Sequence, residues 1–250
     1  TNRLDGKIAL VTGATGEIGT ATVRLLAQRG AAVVALDLPG SDFTALAGDL
    51  GDAFAWTEAD VSDEPSLAAA IASVISRHGH IDVLFNNAGV EGPVVPIVGH
   101  DLADFRKVMA VNVEGVFLAM KYVLPGMIAR RSGAIINASS IAGLCGTAGL
   151  AAYTASKHAV IGLTRVAAME AAAHGVRVNC INPGPIAGRM IRKLDAETGI
   201  DPGFRASLIP AQHYGAPGDV AALVAFLASD DARYINASVH SIDGGLHAIA

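Results

Sequence analysis

The chain has 250 residues and a formal net charge of −5, with 52% hydrophobic and 16% charged residues. That length holds one large α/β core or two small ones. Scattered positive charge gives no footprint for nucleic acid, and no apolar run approaches the roughly 18 residues of a membrane-spanning helix.

In chain order, an apolar run over 7–12 (KIALVT) ended by glycine reads as a buried parallel strand. Residues 17–29 carry apolar positions at helical spacing, closed by Gly30. Strand 32–38, a helix about 43–47 and a strand about 53–57 follow, then a long helix over 64–78 opened by Ser62 or Asp63. Strand 81–86 leads through a Gly/Pro loop to a long helix from Asp101, which Pro125 is expected to bend or break. Strand 133–138, helix 152–173 and strand 176–181 come next. The stretch 183–215 has little regular signal, with 195–211 least of all. A helix over 217–227 has Pro in its first turn, and a short strand over 238–242 ends the series.

Strands alternating with helices predict an α/β fold of Rossmann type, a doubly wound parallel sheet with helices on both faces. Without a linker or internal repeat, residues 1–250 read as a single domain. The polar segment 1–6 reads as no signal peptide. Cys145 and Cys180 form neither a metal-ligand spacing nor a disulfide framework, so no metal is expected and the cytoplasm is the expected compartment.

The first strand-to-helix turn runs Thr12-Gly13-Ala14-Thr15-Gly16-Glu17-Ile18-Gly19. Glycines there permit a tight turn and close phosphate approach, and the helix N-terminus offers free N–H groups to a pyrophosphate. Asp37, at the end of the second strand and followed by Leu38, is placed to accept both hydroxyls of an adenosine ribose and to repel a 2′-phosphate. NAD is therefore favoured over NADP. Tyr153 and Lys157 lie four apart on one helix face. A phenol is a poor base near neutral pH, and an adjacent ammonium is expected to lower its pKa into use. Ser140 falls at the carboxyl end of a parallel strand, where its hydroxyl can donate to a carbonyl oxygen.

These motifs, with Asp60-Val61, Asn86-Asn87-Ala88-Gly89, Asn112 and Pro183-Gly184 in the same order, resemble the short-chain dehydrogenase/reductase family over essentially the whole chain. The resemblance implies a catalytic tetrad of Asn112, Ser140, Tyr153 and Lys157. Tyr153 exchanges the proton with the alcohol or ketone and Ser140 holds its oxygen. Lys157 binds the nicotinamide ribose, and Asn112 supports Lys157 through water. It also implies a cofactor groove of Gly13, Thr15, Gly16, Glu17, Ile18, Gly19, Asp37 and Leu38. Asp60 and Val61 flank the adenine, Asn87, Ala88 and Gly89 line the cleft, and Pro183, Gly184 and Ile186 border the nicotinamide.

Two positions depart from the family pattern. Glu17 stands where glycine is usual, a carboxylate repulsive to pyrophosphate unless it points to solvent. Gly188 stands where the family often has a threonine holding the nicotinamide carboxamide, so a backbone group, a water or a more mobile loop is expected there. The substrate lining (Val90, Val94, Val95, Leu144, Leu150, Met190, Ile191) is apolar and predicts a small, weakly polar alcohol or ketone, cyclic or aryl. Glu91, His100, Arg189, Arg192 and His213 read as loop residues, more often solvated than substrate-bound. Trp56 and Cys180 read as packing, and His158 has no assigned role. By the resemblance, 195–211 forms a mobile lid, and the chain forms a homo-oligomer, a tetramer, through its two long helices. An NAD-dependent oxidoreductase is the leading reading. A catalytically silent NAD(H) sensor on the same scaffold is its alternative, and an NAD-recycling epimerase or dehydratase is disfavoured.

Overall fold

The computed structural model describes residues 3–51 and 54–248. Among the described residues, seven strands form one parallel sheet: β1 (Ile8–Thr12), β2 (Ala32–Asp37), β3 (Ala55–Glu58), β4 (Val83–Asn86), β5 (Gly133–Ala138), β6 (Val176–Pro183) and β7 (Val239–Ile242). Their spatial order is β3-β2-β1-β4-β5-β6-β7. The chain winds outward from β1 to β3, then crosses back to start β4 on the other side of β1. That reversal opens a crevice beyond the carboxyl ends of β1 and β4.

Successive strand residues point to opposite faces, so each strand feeds two cores. Leu10, Leu84 and Ile135 join one core with Ile71, Val123 and Val160. Val11, Phe85 and Ile136 join the other with Val23, Leu26 and Val224. The first core is closed by α3 (Glu64–His78), α5 (Gly115–Arg130) and α6 (Ala151–Ala171); the second by α1 (Glu17–Gln28), α2 (Thr44–Leu50) and α9 (Pro217–Ala228). Helices cover both faces because both faces of every central strand are apolar.

Four sequence expectations change. Pro125 does not end its helix: α4 (Leu102–Met109), a π turn over Ala110–Glu114 and α5 run on as one piece. Pro125 and the residue four before it, Lys121, are both exposed, so the carbonyl that loses its partner faces water. Leu102–Arg130 is long and apolar enough to cross a membrane by composition, yet Val116, Leu118, Val123 and Met127 are buried in the core. The stretch 183–215 contains α7 (Arg189–Thr198) and α8 (Pro202–Ser207), which its charged sequence hides. Trp56 is half exposed, stacked on Phe43 and Phe54 rather than enclosed. The third strand begins later than expected, and Ala53 lies outside the described residues, as do 249–250.

Candidate active site

The chain leaves β1 at Gly13, whose φ of 62° and close neighbour both require glycine: an added Cβ would stand 2.8 Å from Ala88 Cα. The Asn87 side-chain amide donates to the carbonyls of Thr12 (3.1 Å) and Gly13 (2.9 Å). The Thr12 hydroxyl oxygen accepts the N–H groups of Asn87 (3.0 Å) and Ala88 (3.1 Å). The loops after β1 and β4 are thereby joined where the sheet order reverses. At Gly19 a Cβ would fall 2.1 Å from the Gly13 carbonyl, which keeps α1 pressed on the turn. Gly16, the N-cap of α1, offers no side chain to its first-turn N–H groups.

Asp37 ends β2 facing this turn. Its Oδ2 accepts the Thr15 N–H (2.8 Å) and hydroxyl (2.7 Å), and its Oδ1 accepts the Leu38 N–H (2.9 Å). A carboxylate offers about four acceptor positions, so capacity remains for further donors. Leu38 lies half exposed beside it. Asp60 Oδ1 accepts from the Ser62 N–H and hydroxyl, while the Val61 side chain is buried against Gly115. Val61 can therefore meet a groove only through its backbone.

Across the crevice, α6 carries Tyr153 and the buried Lys157 on one face. Lys157 Nζ lies 5.5 Å from the centre of the Tyr153 ring and donates to the Ala138 carbonyl at 2.9 Å. The Ser140 side chain lies close enough to the phenol to favour its anionic form, and its hydroxyl oxygen accepts the Ala142 N–H at 3.2 Å. Asn112 sits in the π turn, a distortion of the kind often found at functional sites. Its side chain accepts the Val90 N–H (2.8 Å) and donates to the Val90 carbonyl (2.8 Å) and the Ser156 hydroxyl (3.0 Å). Gly89 joins the groups: a Cβ there would stand 3.2 Å from Asn112 Oδ1 and 3.4 Å from Lys157 Nζ. Asn112, Lys157 and Tyr153 thus lie side by side at the crevice.

Their electrostatics differ from the expectation. Burial pushes Tyr153 up to about 12, against the Ser140 side chain and helped by the nearby Glu91 charge; burial pulls Lys157 down to about 8. The ammonium does not make the phenol acidic in this arrangement. It is aimed at a backbone carbonyl, and desolvation dominates the shift of each buried group.

The floor beneath these groups was not legible from motifs. Ser139 donates its hydroxyl to the Lys157 carbonyl at 2.8 Å, and Asn182 donates to the Ser140 carbonyl at 2.6 Å. Both residues adjoin recognised motif positions at strand ends, which is the one signal that pointed to them. Beyond β6, Gly184 approaches Asp243 so closely that a Cβ would lie 2.7 Å from Asp243 Cβ, and Ile186 bridges to Gly215. This holds the Pro183 segment at the crevice rim.

The pocket wall is mixed rather than uniformly apolar. Val95 pairs with buried Leu150, and Ile191 is buried, whereas Leu144 and Met190 stay partly exposed. Glu91 is not a solvated loop residue: it is 8% exposed, its Oε2 has no hydrogen-bond partner, and burial raises its pKa. Within α7 and α8, buried Asp195 pairs with Arg205 and accepts the Tyr214 hydroxyl at 3.0 Å. Glu17 stays partly exposed, its side chain 43% accessible, but is tied down on one side. It accepts the Arg189 N–H at 2.6 Å, at the start of α7. A separate cavity of about 510 Å³ opens at the amino ends of the strands, lined by Lys7, Asp82, Arg177 and Tyr234, away from these groups.

The crevice fits a nicotinamide dinucleotide. Its glycine floor, the α1 N-terminus, the Asp37 carboxylate and the Lys157–Tyr153 pair lie along one groove, and a side chain at Gly89 would fill its reactive end. Comparison with known proteins agrees. A family model described as enoyl-(acyl carrier protein) reductase matches residues 13–247. The chain is 41% identical over 248 residues to a cis-4-hydroxycyclohexanecarboxylate dehydrogenase of Sinomonas cyclohexanicum, covering 97% of each. A crystal structure of levodione reductase superposes with TM-score 0.95 at 36% identity, covering 99% of this chain and 100% of that one. NAD+-bound xylitol dehydrogenase gives TM-score 0.91 at 33% identity, covering 96% and 99%. The chain belongs to the short-chain dehydrogenase/reductase family and is an oxidoreductase that uses a nicotinamide cofactor.

Proposed function

We propose that the protein is an NAD-dependent dehydrogenase that interconverts a small, largely apolar secondary alcohol, cyclic or aryl, with its ketone. The observation that carries this reading is the meeting of Lys157 and Asn112 beside Gly89 at the crevice, with the Tyr153 ring next to Lys157. When bound, the nicotinamide accepts hydride from the alcohol carbon or returns it to the ketone.

The chain's own groups do the rest. Tyr153 takes the hydroxyl proton as the carbonyl forms, or delivers it in the reverse direction. Ser140 donates to the substrate oxygen where charge develops. Lys157 holds the nicotinamide ribose, and Asn112, fixed to Val90 and Ser156, holds the wall beside Lys157. Gly13, Thr15, Gly16, Ile18 and Gly19 receive the pyrophosphate, and Asp37 with Leu38 receives the adenosine. Asp60 and Val61 flank the adenine, Asn87, Ala88 and Gly89 line the cleft, and Pro183, Gly184 and Ile186 border the nicotinamide. NAD is favoured over NADP because a 2′-phosphate would meet the Asp37 carboxylate.

Support for a cyclic substrate comes from the partly apolar wall of Val95, Leu150 and Ile191 and from the hydroxycyclohexane named in the Sinomonas relative. Exposed Phe117 on α5 and Val166 and Met169 on α6 support a homo-oligomer, read as a tetramer, built through the two long helices. The acidic balance and two unpaired cysteines support a cytoplasmic protein without a nucleic-acid partner. The test is a panel of cyclic and aryl secondary alcohols with NAD, followed by NADH absorbance, in wild type and Tyr153→Phe. The reading expects turnover on at least one alcohol and its loss in the variant with NADH still bound. Full turnover in Tyr153→Phe would remove the phenol from the mechanism.

A further inference from the structure

Gly188 immediately precedes α7 with φ 170° and ψ −175°, extended backbone that any residue adopts. Its backbone does not demand glycine; its neighbour crowds the position. An added Cβ would stand 3.1 Å from Cδ of Glu17 and 3.3 Å from its Oε1. Glu17 is itself the first residue of α1, and its Oε1 accepts the N–H of Arg189, 172 positions away, at 2.6 Å. Having no side chain, Gly188 cannot cap α7, so the cap is supplied across the crevice from the dinucleotide turn.

The charges around this contact are also arranged. The Arg192 guanidinium lies 3.6 Å from Glu17 Oε1. Burial tends to raise the Glu17 pKa, but the N–H groups of Glu17 and Arg189 and the charges of Arg189 and Arg192 more than offset it, so the carboxylate is anionic at neutral pH. One carboxylate therefore stands at the N-termini of two helices, α1 and α7.

We propose that Glu17 is a latch that fastens α7 to the dinucleotide turn and couples closure of α7 and α8 to dinucleotide binding, with Gly188 the space that admits it. The inference rests on the dinucleotide reading above and deepens it. A pyrophosphate docking at the α1 N-terminus meets the Glu17 charge. With α7 fastened, that charge is spent on the Arg189 N–H and Arg192; with α7 lifted, it faces the phosphates unpaired. Dinucleotide binding thus favours the fastened segment, and by linkage the fastened segment favours the dinucleotide. Glu17 acts through α7 and is a positioning residue.

Two measurements test the latch. Amide hydrogen exchange at Arg189 is read without dinucleotide in wild type, Glu17→Ala, Gly188→Ala and the double variant. Either single change should speed exchange about fivefold, the loss of one helix cap, and the second should add nothing to the first. NADH affinity is then read by fluorescence in wild type, Glu17→Gln, Arg192→Ala and their double variant. Arg192→Ala should weaken NADH about threefold, the scale of an exposed ion pair, and should have no effect once Glu17 is Gln. Independent exchange effects of Glu17→Ala and Gly188→Ala would overturn the latch. An equal Arg192→Ala effect in both backgrounds would overturn the coupling. Wild-type protein that bound no NADH would instead overturn the dinucleotide reading, and the exchange result distinguishes that failure because it needs no cofactor.

Discussion

Lys157 Nζ gives a hydrogen bond to the Ala138 carbonyl at 2.9 Å while standing 5.5 Å from the centre of the Tyr153 ring. The ammonium is thus held by the sheet, at the end of β5, and lies over the Tyr153 ring. Burial without a full counter-charge is what keeps Tyr153 high and Lys157 low, and it makes the reactive end a strained element of the fold.

The first prediction follows from that cost. A Lys157 pKa drawn from 10.5 down to about 8 corresponds to about 3 kcal/mol against keeping the lysine charged in the fold. Because the folded value is the lower one, wild-type stability rises with pH between about 8 and 10.5, as the folded lysine sheds its proton before the unfolded one. Lys157→Met fills similar space without the charge. It is expected to lose turnover by at least about a hundredfold and yet to melt no lower than wild type at pH 7. Its relative stability should shrink as pH climbs to 10. Melting curves across that range check the sign; a Met variant much less stable at pH 7 would show that the lysine stabilises the fold.

Glu91 presents the opposite sign. Its carboxyl is buried with an unpartnered Oε2, and besides Tyr153 it feels Lys193 and Glu197 of α7 and Arg205 of α8. A carboxyl with a raised folded pKa favours the fold below its unfolded value of 4.5 and loses that contribution as pH rises through the folded value. Glu91→Gln removes the loss, so its stability gain over wild type should appear toward neutral pH and vanish near pH 4. The same change removes a negative charge that opposes the phenolate. In alcohol oxidation, where activity rises as Tyr153 deprotonates, the limb of the kcat/KM profile should move to lower pH. An unmoved limb would separate Glu91 from the phenol.

Cofactor choice is tested at Asp37. Its Oδ2 is already engaged by the Thr15 N–H and hydroxyl, so the carboxylate is fixed at the rim of the turn rather than free to swing away from a phosphate. Asp37→Ala should weaken NAD and improve NADP, narrowing the ratio of their kcat/KM values by about tenfold or more, the scale of one charged hydrogen bond. An unchanged ratio would place the adenosine ribose elsewhere.

Legibility in the sequence followed the range of the interactions involved. The bounds of α3 and β5 agreed with the expected ranges, because burial periodicity and flanking glycines are local signals. The glycine turn, Asp37 and the Tyr153–Lys157 pair were legible for the same reason. Pro125 misled because its effect depends on whether the Lys121 carbonyl can reach water, which no local pattern records. The Glu17 and Gly188 departures looked like two separate losses. They are one contact between residues far apart in the chain, and only the fold brings them together. The Tyr153 pKa was misjudged because spacing reports that two groups are neighbours, not how much water they have given up.

The segment 189–207 supplies the last prediction. Asp195 is buried at the centre of α7, pairs with Arg205 from α8 and accepts the Tyr214 hydroxyl, so the two helices close on one carboxylate. Breaking a buried pair by removing one partner leaves the other charge uncompensated, at a cost of about 3–5 kcal/mol. Here that cost should fall on a local unit, because α7 and α8 lie outside the sheet and both central cores. Asp195→Asn should therefore speed amide exchange throughout 189–207 and raise KM for the alcohol several-fold, while the sheet melts close to the wild-type temperature. Asp195→Asn with Arg205→Leu removes both charges and should recover much of the lost protection, since no ion is left stranded. If the single variant melted the whole protein early, Asp195 would belong to the global core, and α7 and α8 would not form a separable cover over the site.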